Sequence, residues 1–273
     1  MHALFAYGFL QRALAAGALI GVACAVLGIF LILRRDAMIG HGLAHIAFAG
    51  VALGLFLSVL PLVAALAVSV AAAAAVMRLK DRAGLHGDTA IGIFGSLGMA
   101  AGVLLASLSG SFNVELMAYL FGDILAIGPL EVGLTAALAV AVLLAVRLNY
   151  GRLLFMTFDR DSARAAGVRV DRLDALLAVL TAVTVVLGMK VAGLLLVAAL
   201  IVIPAAAGLQ AAGSFRAAVA VSAAVAVLSV AAGLTLSLVL DIPASAAITL
   251  LAFALFAALS LVRRGRGPAR GGG

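Results

Sequence analysis

The chain has 273 residues and a net charge of +7; 66% of its residues are hydrophobic, only 11% are charged, and its mean hydropathy is +1.32. Soluble domains are closer to half apolar and a quarter charged, and a water-soluble fold of this length cannot bury so much apolar surface. The composition therefore predicts an all-α polytopic membrane protein, since long continuous apolar runs lack the period-two alternation of a β-barrel. The single cysteine, Cys24, excludes a disulfide framework.

Apolar stretches near the length that crosses a bilayer core follow one another along the chain. A shorter apolar piece, residues 116–127, is interrupted by Gly122-Asp123 and is predicted to be a half-helix at the outer membrane face. A total of eight spans is the alternative, because the flank before the first span is nearly charge-neutral and leaves its orientation least determined. The nine predicted spans are residues 14–33, 39–60, 62–77, 89–108, 130–146, 175–188, 191–209, 215–240 and 243–262.

The lysines and arginines predict the orientation of these spans. With the N-terminus outside, all 18 except Arg12 and Lys190 fall on the cytoplasmic side. Counting residues 116–127 as a full crossing would place the arginine-rich segment 149–174 outside, against the positive-inside rule. The positive charge is therefore explained by topology, and a nucleic-acid partner is not expected. The basic, glycine-rich residues 263–273 are predicted to be a disordered cytoplasmic tail.

Two histidines stand at the head of the second predicted span. His41 and His45 are four residues apart, about one helical turn, so their side chains are expected on the same helix face. Two imidazoles suit a soft-to-borderline divalent metal. Titratable groups in a membrane segment are energetically costly, so a functional role is the first hypothesis for them. The alternative is a chance pair, with one histidine bonded to a backbone carbonyl and the other in a water-filled vestibule.

The polar segment 149–174 has the features of a docking element. Asp159 and Asp161 are predicted to open a short helix that contains Arg164 and ends at Gly167, because acids favour a helix start and glycine favours its end. An ordinary solvated loop whose arginines touch lipid headgroups is the alternative.

Three other positions have a functional and a structural interpretation. Pro204 must break a backbone hydrogen bond within a span, which suits either a transport pathway or a simple kink. Glu115 and Asp123, at the predicted outer face, suit guidance of cations or contact with a delivery protein, and helix capping explains them equally well.

Several segments, in order from about residue 10 to residue 262, resemble the permease subunit of ABC importers for zinc and manganese, and the zinc branch most closely. No single motif is decisive, but the ordered series is distinctive. The segments are Leu33-Arg34-Arg35 followed by Gly40-x4-His45 and Gly50-Val51-Ala52-Leu53-Gly54, Leu116-Met117-Ala118-Tyr119-Leu120-Phe121-Gly122-Asp123-Ile124-Leu125-Ala126, Ala163-x3-Gly167-Val168, Met189-Lys190-x2-Gly193-Leu194-Leu195, Ile203-Pro204-Ala205-Ala206 and Asp241-Ile242-Pro243-Ala244.

The resemblance implies the ABC importer permease fold, with one transmembrane permease domain over residues 1–262 and a homodimer that lines a single pathway. Such a protein lies in the inner or plasma membrane of a prokaryote. It is not an enzyme and has no permanently bound cofactor, because a separate subunit hydrolyses ATP. The chain indeed contains no G-x4-G-K-[ST] nucleotide motif.

The resemblance also implies two kinds of protein partner. A cytoplasmic ABC ATPase dimer would bind the coupling segment, which includes Ala163 and Gly167. An extracytoplasmic metal-binding protein would deliver the ion to an outer mouth around Met117 and Tyr119.

At the head of the second span, the family commonly carries an Asp and a His four residues apart as its proposed transient metal site. His45 matches the histidine, whereas His41 stands at the position of the aspartate. A neutral nitrogen in place of a hard anion predicts Zn²⁺ as the transported metal, with Mn²⁺ or Fe²⁺ as alternatives.

Other functions remain as alternatives or are excluded. A permease for iron chelates or cobalamin shares the architecture, but such bulky substrates do not require paired imidazoles. In a proton-coupled secondary transporter the histidines would relay protons, although no acid lies deep in a span. An intramembrane metalloprotease is excluded, because Gly42 occupies the place of the catalytic glutamate.

Overall fold

The computed structural model describes residues 8–83, 87–108, 114–122 and 127–265. These residues form helices joined by short turns, with no strand among them. Nine of the described helices are long and apolar enough to cross a membrane, which confirms the predicted all-α polytopic fold. The helices are α1 (Gly8–Leu33), α2 (Ile39–Phe56), α3 (Pro61–Ala83), α4 (Gly87–Leu108), α5 (Val114–Phe121), α6 (Pro129–Phe158), α7 (Arg160–Ala165), α8 (Val170–Ala192), α9 (Leu194–Ala211), α10 (Phe215–Leu240) and α11 (Ala244–Gly265).

Two helices that flank the polar segment are longer than the sequence predicts. The fifth span is predicted to end at residue 146, whereas α6 continues to Phe158. An exposed arginine such as Arg147 is a good helix former, so a charge at the membrane boundary need not end a helix. The next span starts at Val170 rather than residue 175, with Asp171 in its first turn, where a negative charge is favourable.

The short helix α5 takes the place of the predicted half-helix. Its 8 residues extend about 12 Å at 1.5 Å per residue, too little to cross a bilayer core. Its C-terminal end meets the joint between α8 and α9 backbone to backbone, because a Cβ on Gly122 would lie 2.7 Å from the carbonyl carbon of Ala192. Gly122 has φ +79°, and Gly193 on the other side of the contact has φ +85°, so glycine is required at both places.

Helix α1 lies at the centre of the bundle and packs against α6, α8, α9 and α10, while α2 packs against α3 and α4. The axes of α1 and α9 approach closely, since a Cβ on Gly28 would lie 1.9 Å from the carbonyl oxygen of Ile201. Pro204 lies one turn further along, buried within the continuous helix α9.

The two ends of the bundle carry separate groups of charges. Arg34, Arg160 and Asp174 meet at one end. At the other end, Lys190 Nζ lies 2.8 Å from Glu131 Oε1. Arg34 and Arg160, which the charge pattern predicts to be cytoplasmic, thus lie at the same end, and Lys190, predicted to be outside, lies at the other.

Candidate functional site

The histidines of α2 point at one another. Their Nε2 atoms are 3.0 Å apart, and their ring planes cross at 73° with centroids 4.5 Å apart. Two imidazoles on one tetrahedral zinc, with Zn–N bonds of about 2.05 Å, would place their nitrogens about 3.3 Å apart. Widening the pair by a few tenths of an ångström would therefore let His41 and His45 hold one ion between them.

The histidine pair opens onto a groove of about 700 Å³ between α2 and α4. His41 is exposed and His45 half-buried. The helices meet at glycines, because a Cβ on Gly95 would lie 3.1 Å from the Cα of Gly42, and this contact forms the floor of the groove. The remaining lining residues are small or apolar: Met38, Ile91, Gly92, Ser96, Met99, Ala100 and Val103.

The chain supplies an incomplete coordination shell at this place. In the described ranges, no group of three or more His, Cys, Asp or Glu residues could hold a metal ion. Nδ1 of His45 is buried and, among the described residues, has no hydrogen-bond partner. No other group therefore anchors this nitrogen within the described residues, whereas a permanent metal ligand usually has its second nitrogen anchored. A two-ligand site of this kind suits brief binding.

Helix α7 is built as a short capped helix at the charged end. The backbone N–H of Ser162 donates to Asp159 Oδ1 at 2.9 Å, and hydrogen bonds from the Ser162 hydroxyl and backbone hold the pKa of Asp159 below its usual range. Gly167 closes the segment with φ +83°, and the N–H of Val168 donates to the carbonyl of Ala163 at 3.0 Å. Ala163 is fully buried.

The outer side of α7 faces the solvent. Asp161 and Arg164 are both exposed, and Arg164 Nη2 lies 2.7 Å from Asp171 Oδ1. The charged side chains of Asp161 and Arg164 are therefore accessible to a partner, while the buried Ala163 holds α7 against the rest of the bundle.

A buried carboxylate that the sequence analysis did not single out joins this helix to the bundle. Asp174 is 6% exposed; its Oδ1 accepts a hydrogen bond from Arg34, and its Oδ2 lies 2.6 Å from Arg160 Nη2. Arg34 lies in the turn between α1 and α2, also 3.9 Å from Asp36, and its side chain is 8% exposed. The sequence did contain a signal for this residue, because Asp174 directly precedes a long apolar run. A carboxylate that becomes buried at such a place needs a charged partner.

Of the predicted outer residues, neither Met117 nor Tyr119 lines the groove of the histidine pair. On α5, Met117 is exposed and Tyr119 half-buried, at the end of the bundle where α5 meets the α8–α9 joint. Glu115 belongs to α5, but its side chain is outside what the structure describes, as is the whole of Asp123. Pro204 does not line the groove of the histidine pair.

Comparisons with known proteins agree on one family. Residues 6–263 match the profile of the ABC 3 transport family. The chain is 31% identical over 254 residues to the manganese transport system membrane protein MntC of Halalkalibacterium halodurans, covering 93% of this chain and 87% of that protein. It is 33% identical over 191 residues to the high-affinity zinc uptake system membrane protein ZnuB of Haemophilus influenzae, covering 70% and 73% respectively.

A solved structure described as PsaBC from Streptococcus pneumoniae in complex with Fab has the same fold. It superposes with a TM-score of 0.84 at 29% identity, covering 94% of this chain and 93% of that one. The shared fold therefore extends over nearly the whole chain.

Proposed function

The chain belongs to the ABC 3 transport family, and from that premise we propose that it is the permease of an ATP-driven importer of divalent metal ions in a prokaryotic plasma membrane, with zinc as its main cargo. The observation that carries this proposal is the His41–His45 pair, whose nitrogens are 3.0 Å apart beside an open groove. Relatives named for zinc and for manganese are similar to this chain to nearly the same degree. The choice of zinc therefore rests on the ligands.

Imidazole nitrogens favour zinc over manganese, which prefers carboxylate, carbonyl and water oxygens. One copy of the chain offers two nitrogens, whereas zinc usually takes four ligands. A homodimer in which both α2 helices line one pathway would supply the other two by symmetry. Such a site would bind the ion tightly enough for it to enter the pathway and weakly enough for it to be released on the other side.

Energy enters through a separate ATPase. We place its binding site on the coupling segment from Asp159 to Gly167, where Asp161 and Arg164 are exposed and Ala163 anchors the helix. Arg160 at the start of this helix shares Asp174 with Arg34, which precedes the helix of the histidines. A push on α7 is thus carried by direct contacts to the turn ahead of His41.

We place the outer mouth at α5 and the loop after it, where an extracytoplasmic metal-binding protein would release the ion. Glu115 and Asp123 would attract the cation, and Met117 and Tyr119 would contact the delivery protein. Pro204 would allow α9 to bend as access alternates.

Uptake by the reconstituted system tests the function. In liposomes containing the permease and its ATPase, with the metal-binding protein outside, radioactive zinc should enter only with ATP inside, and unlabelled Zn²⁺ should compete more strongly than Mn²⁺ or Fe²⁺. Entry driven by a pH gradient without ATP would instead establish a secondary transporter. Entry of iron chelates or cobalamin but not of free ions would establish the chelate-permease alternative.

Substituting His41→Asp should move the selectivity toward manganese. The change restores an oxygen donor and a negative charge, so the ratio of manganese to zinc uptake should rise on the order of tenfold, or about 1.4 kcal/mol in relative affinity. His41→Asn is the matched control, because it removes the imidazole without adding the charge. Equal ratios in the wild type and His41→Asp would mean that this ligand is not the selectivity filter.

A further inference from the structure

A second groove, of about 450 Å³, lies between α1, α6 and α10. Because it shares no residue with the groove between α2 and α4, the metal pathway does not account for it. Its walls are aliphatic and its rim is basic and aromatic. The lining residues are Val26, Leu143, Val146, Arg147, Tyr150, Phe215, Arg216 and Val219.

The rim combines packed aromatic rings with two positive charges. The guanidinium of Arg216 lies 5.9 Å from the ring centroid of Tyr150, and that ring packs edge-on against Phe215 at 5.8 Å. Phe215 in turn contacts the buried ring of Phe30 at 5.2 Å. Within the described ranges, neither Arg147 nor Arg216 has a carboxylate partner. Both guanidiniums are exposed and lack a counterion from these parts of the chain.

The lengths of the helices predict that these charges lie near the membrane boundary. Arg147 is about 27 Å along α6 from its start at Pro129, at 1.5 Å per residue, which is close to the thickness of the hydrocarbon core. Arg216 belongs to the first turn of α10, at the same end of the bundle. Leu143 and Val219 continue the groove from this rim toward the membrane centre.

We propose that this groove binds an anionic phospholipid of the cytoplasmic leaflet, with the phosphate between Arg147 and Arg216 and an acyl chain along the aliphatic walls. Guanidinium groups suit phosphate oxygens, and basic pockets between membrane helices on the cytoplasmic side bind phospholipid headgroups. A zwitterionic lipid does not need two unpaired arginines, and a soluble anion does not need apolar walls. Since α6 leads directly to Asp159, the lipid would hold the helix that carries the coupling segment.

Native mass spectrometry of the full-length detergent-purified permease tests this site, with phosphatidylglycerol, phosphatidylcholine and inorganic phosphate as probes. We expect phosphatidylglycerol to stay bound to the wild type at least about tenfold more than phosphatidylcholine, equivalent to about 1.4 kcal/mol. The Arg147→Gln/Arg216→Gln variant should lose that preference. The matched pair Arg152→Gln/Arg172→Gln removes two exposed arginines at the same end and should keep it.

Four outcomes would overturn the proposal. Equal retention of both lipids, or equal loss in both arginine pairs, would mean that general surface charge is responsible. Displacement of phosphatidylglycerol by millimolar phosphate would mean that the groove holds a soluble anion.

If the glutamine pair does not fold, two other variants test the same site. Arg147→Lys/Arg216→Lys should retain phosphatidylglycerol, and Val219→Phe, which fills the groove, should release it. Retention in Val219→Phe would refute the acyl-chain position.

Discussion

Replacing His45 with alanine is expected to abolish metal uptake while leaving the permease assembled with its ATPase. His45 is the half-buried member of the pair, and its Nε2 is 3.0 Å from that of His41. Without it, each copy of the chain keeps one nitrogen, and the proposed homodimer would keep two of four. The loss should therefore exceed about tenfold at metal concentrations that saturate the wild type, a change of more than about 1.4 kcal/mol. ATP-dependent uptake of radioactive zinc measures it.

The control for this substitution is another histidine. His86, which the sequence places in the loop between the third and fourth spans, can be changed to alanine with the same loss of an imidazole, and uptake should not change. Gel filtration of the complex checks that His45→Ala still binds its ATPase. Normal uptake by an assembled His45→Ala complex would contradict the assignment of this pair to the pathway.

The spacing of the histidines was sufficient to place them together, because a helix brings residues four apart onto one face whatever surrounds them. The groove that they face was not predictable in this way. It depends on Gly42 meeting Gly95 of α4, a contact between residues far apart in the sequence. Local periodicity therefore predicted that the two imidazoles lie together but did not predict the groove in front of them.

The nine spans follow from hydropathy, since each must cover the thickness of a bilayer core. The end of α6 and the start of α8 do not follow from hydropathy. Hydropathy predicts which residues lie in the membrane, and a helix can continue beyond them. For the same reason Asp174 stands in the predicted loop but belongs to a helix in the structure. Its partners Arg34 and Arg160 lie in other segments, and the sequence contains no signal that pairs them.

Exchanging Asp174 for asparagine is expected to lower the free energy of unfolding of the permease by about 3 kcal/mol. The change keeps the shape but removes the charge that faces Arg34 and Arg160. Breaking a buried ion pair from one side costs about 3 to 5 kcal/mol, because the remaining charge stays desolvated. Asp36, 3.9 Å from Arg34, compensates part of this loss, which favours the lower end of the range. Unfolding by heat or denaturant in detergent measures the difference.

The matched control is Asp171→Asn, three residues earlier on the same helix. Asp171 also pairs with an arginine, Arg164 at 2.7 Å, but the two side chains are 68% and 56% exposed. An exposed pair is worth about 0 to 1 kcal/mol, so this variant should unfold close to the wild type. Equal destabilisation by the two substitutions would contradict the importance of burial at Asp174.

The same carboxylate should also determine how ATP hydrolysis is used. Asp174 connects Arg160 of α7 to Arg34, so its loss is expected to free α7, the proposed ATPase contact, from the turn that precedes α2. Metal transported per ATP hydrolysed should then fall, which destabilisation alone does not require in the molecules that remain folded. Arg160→Gln should lower the same ratio. Combining it with Asp174→Asn should add little, since both substitutions remove the same contact between Arg160 and Asp174. An unchanged ratio in folded Asp174→Asn complexes would mean that the contact stabilises the fold without transmitting the movement.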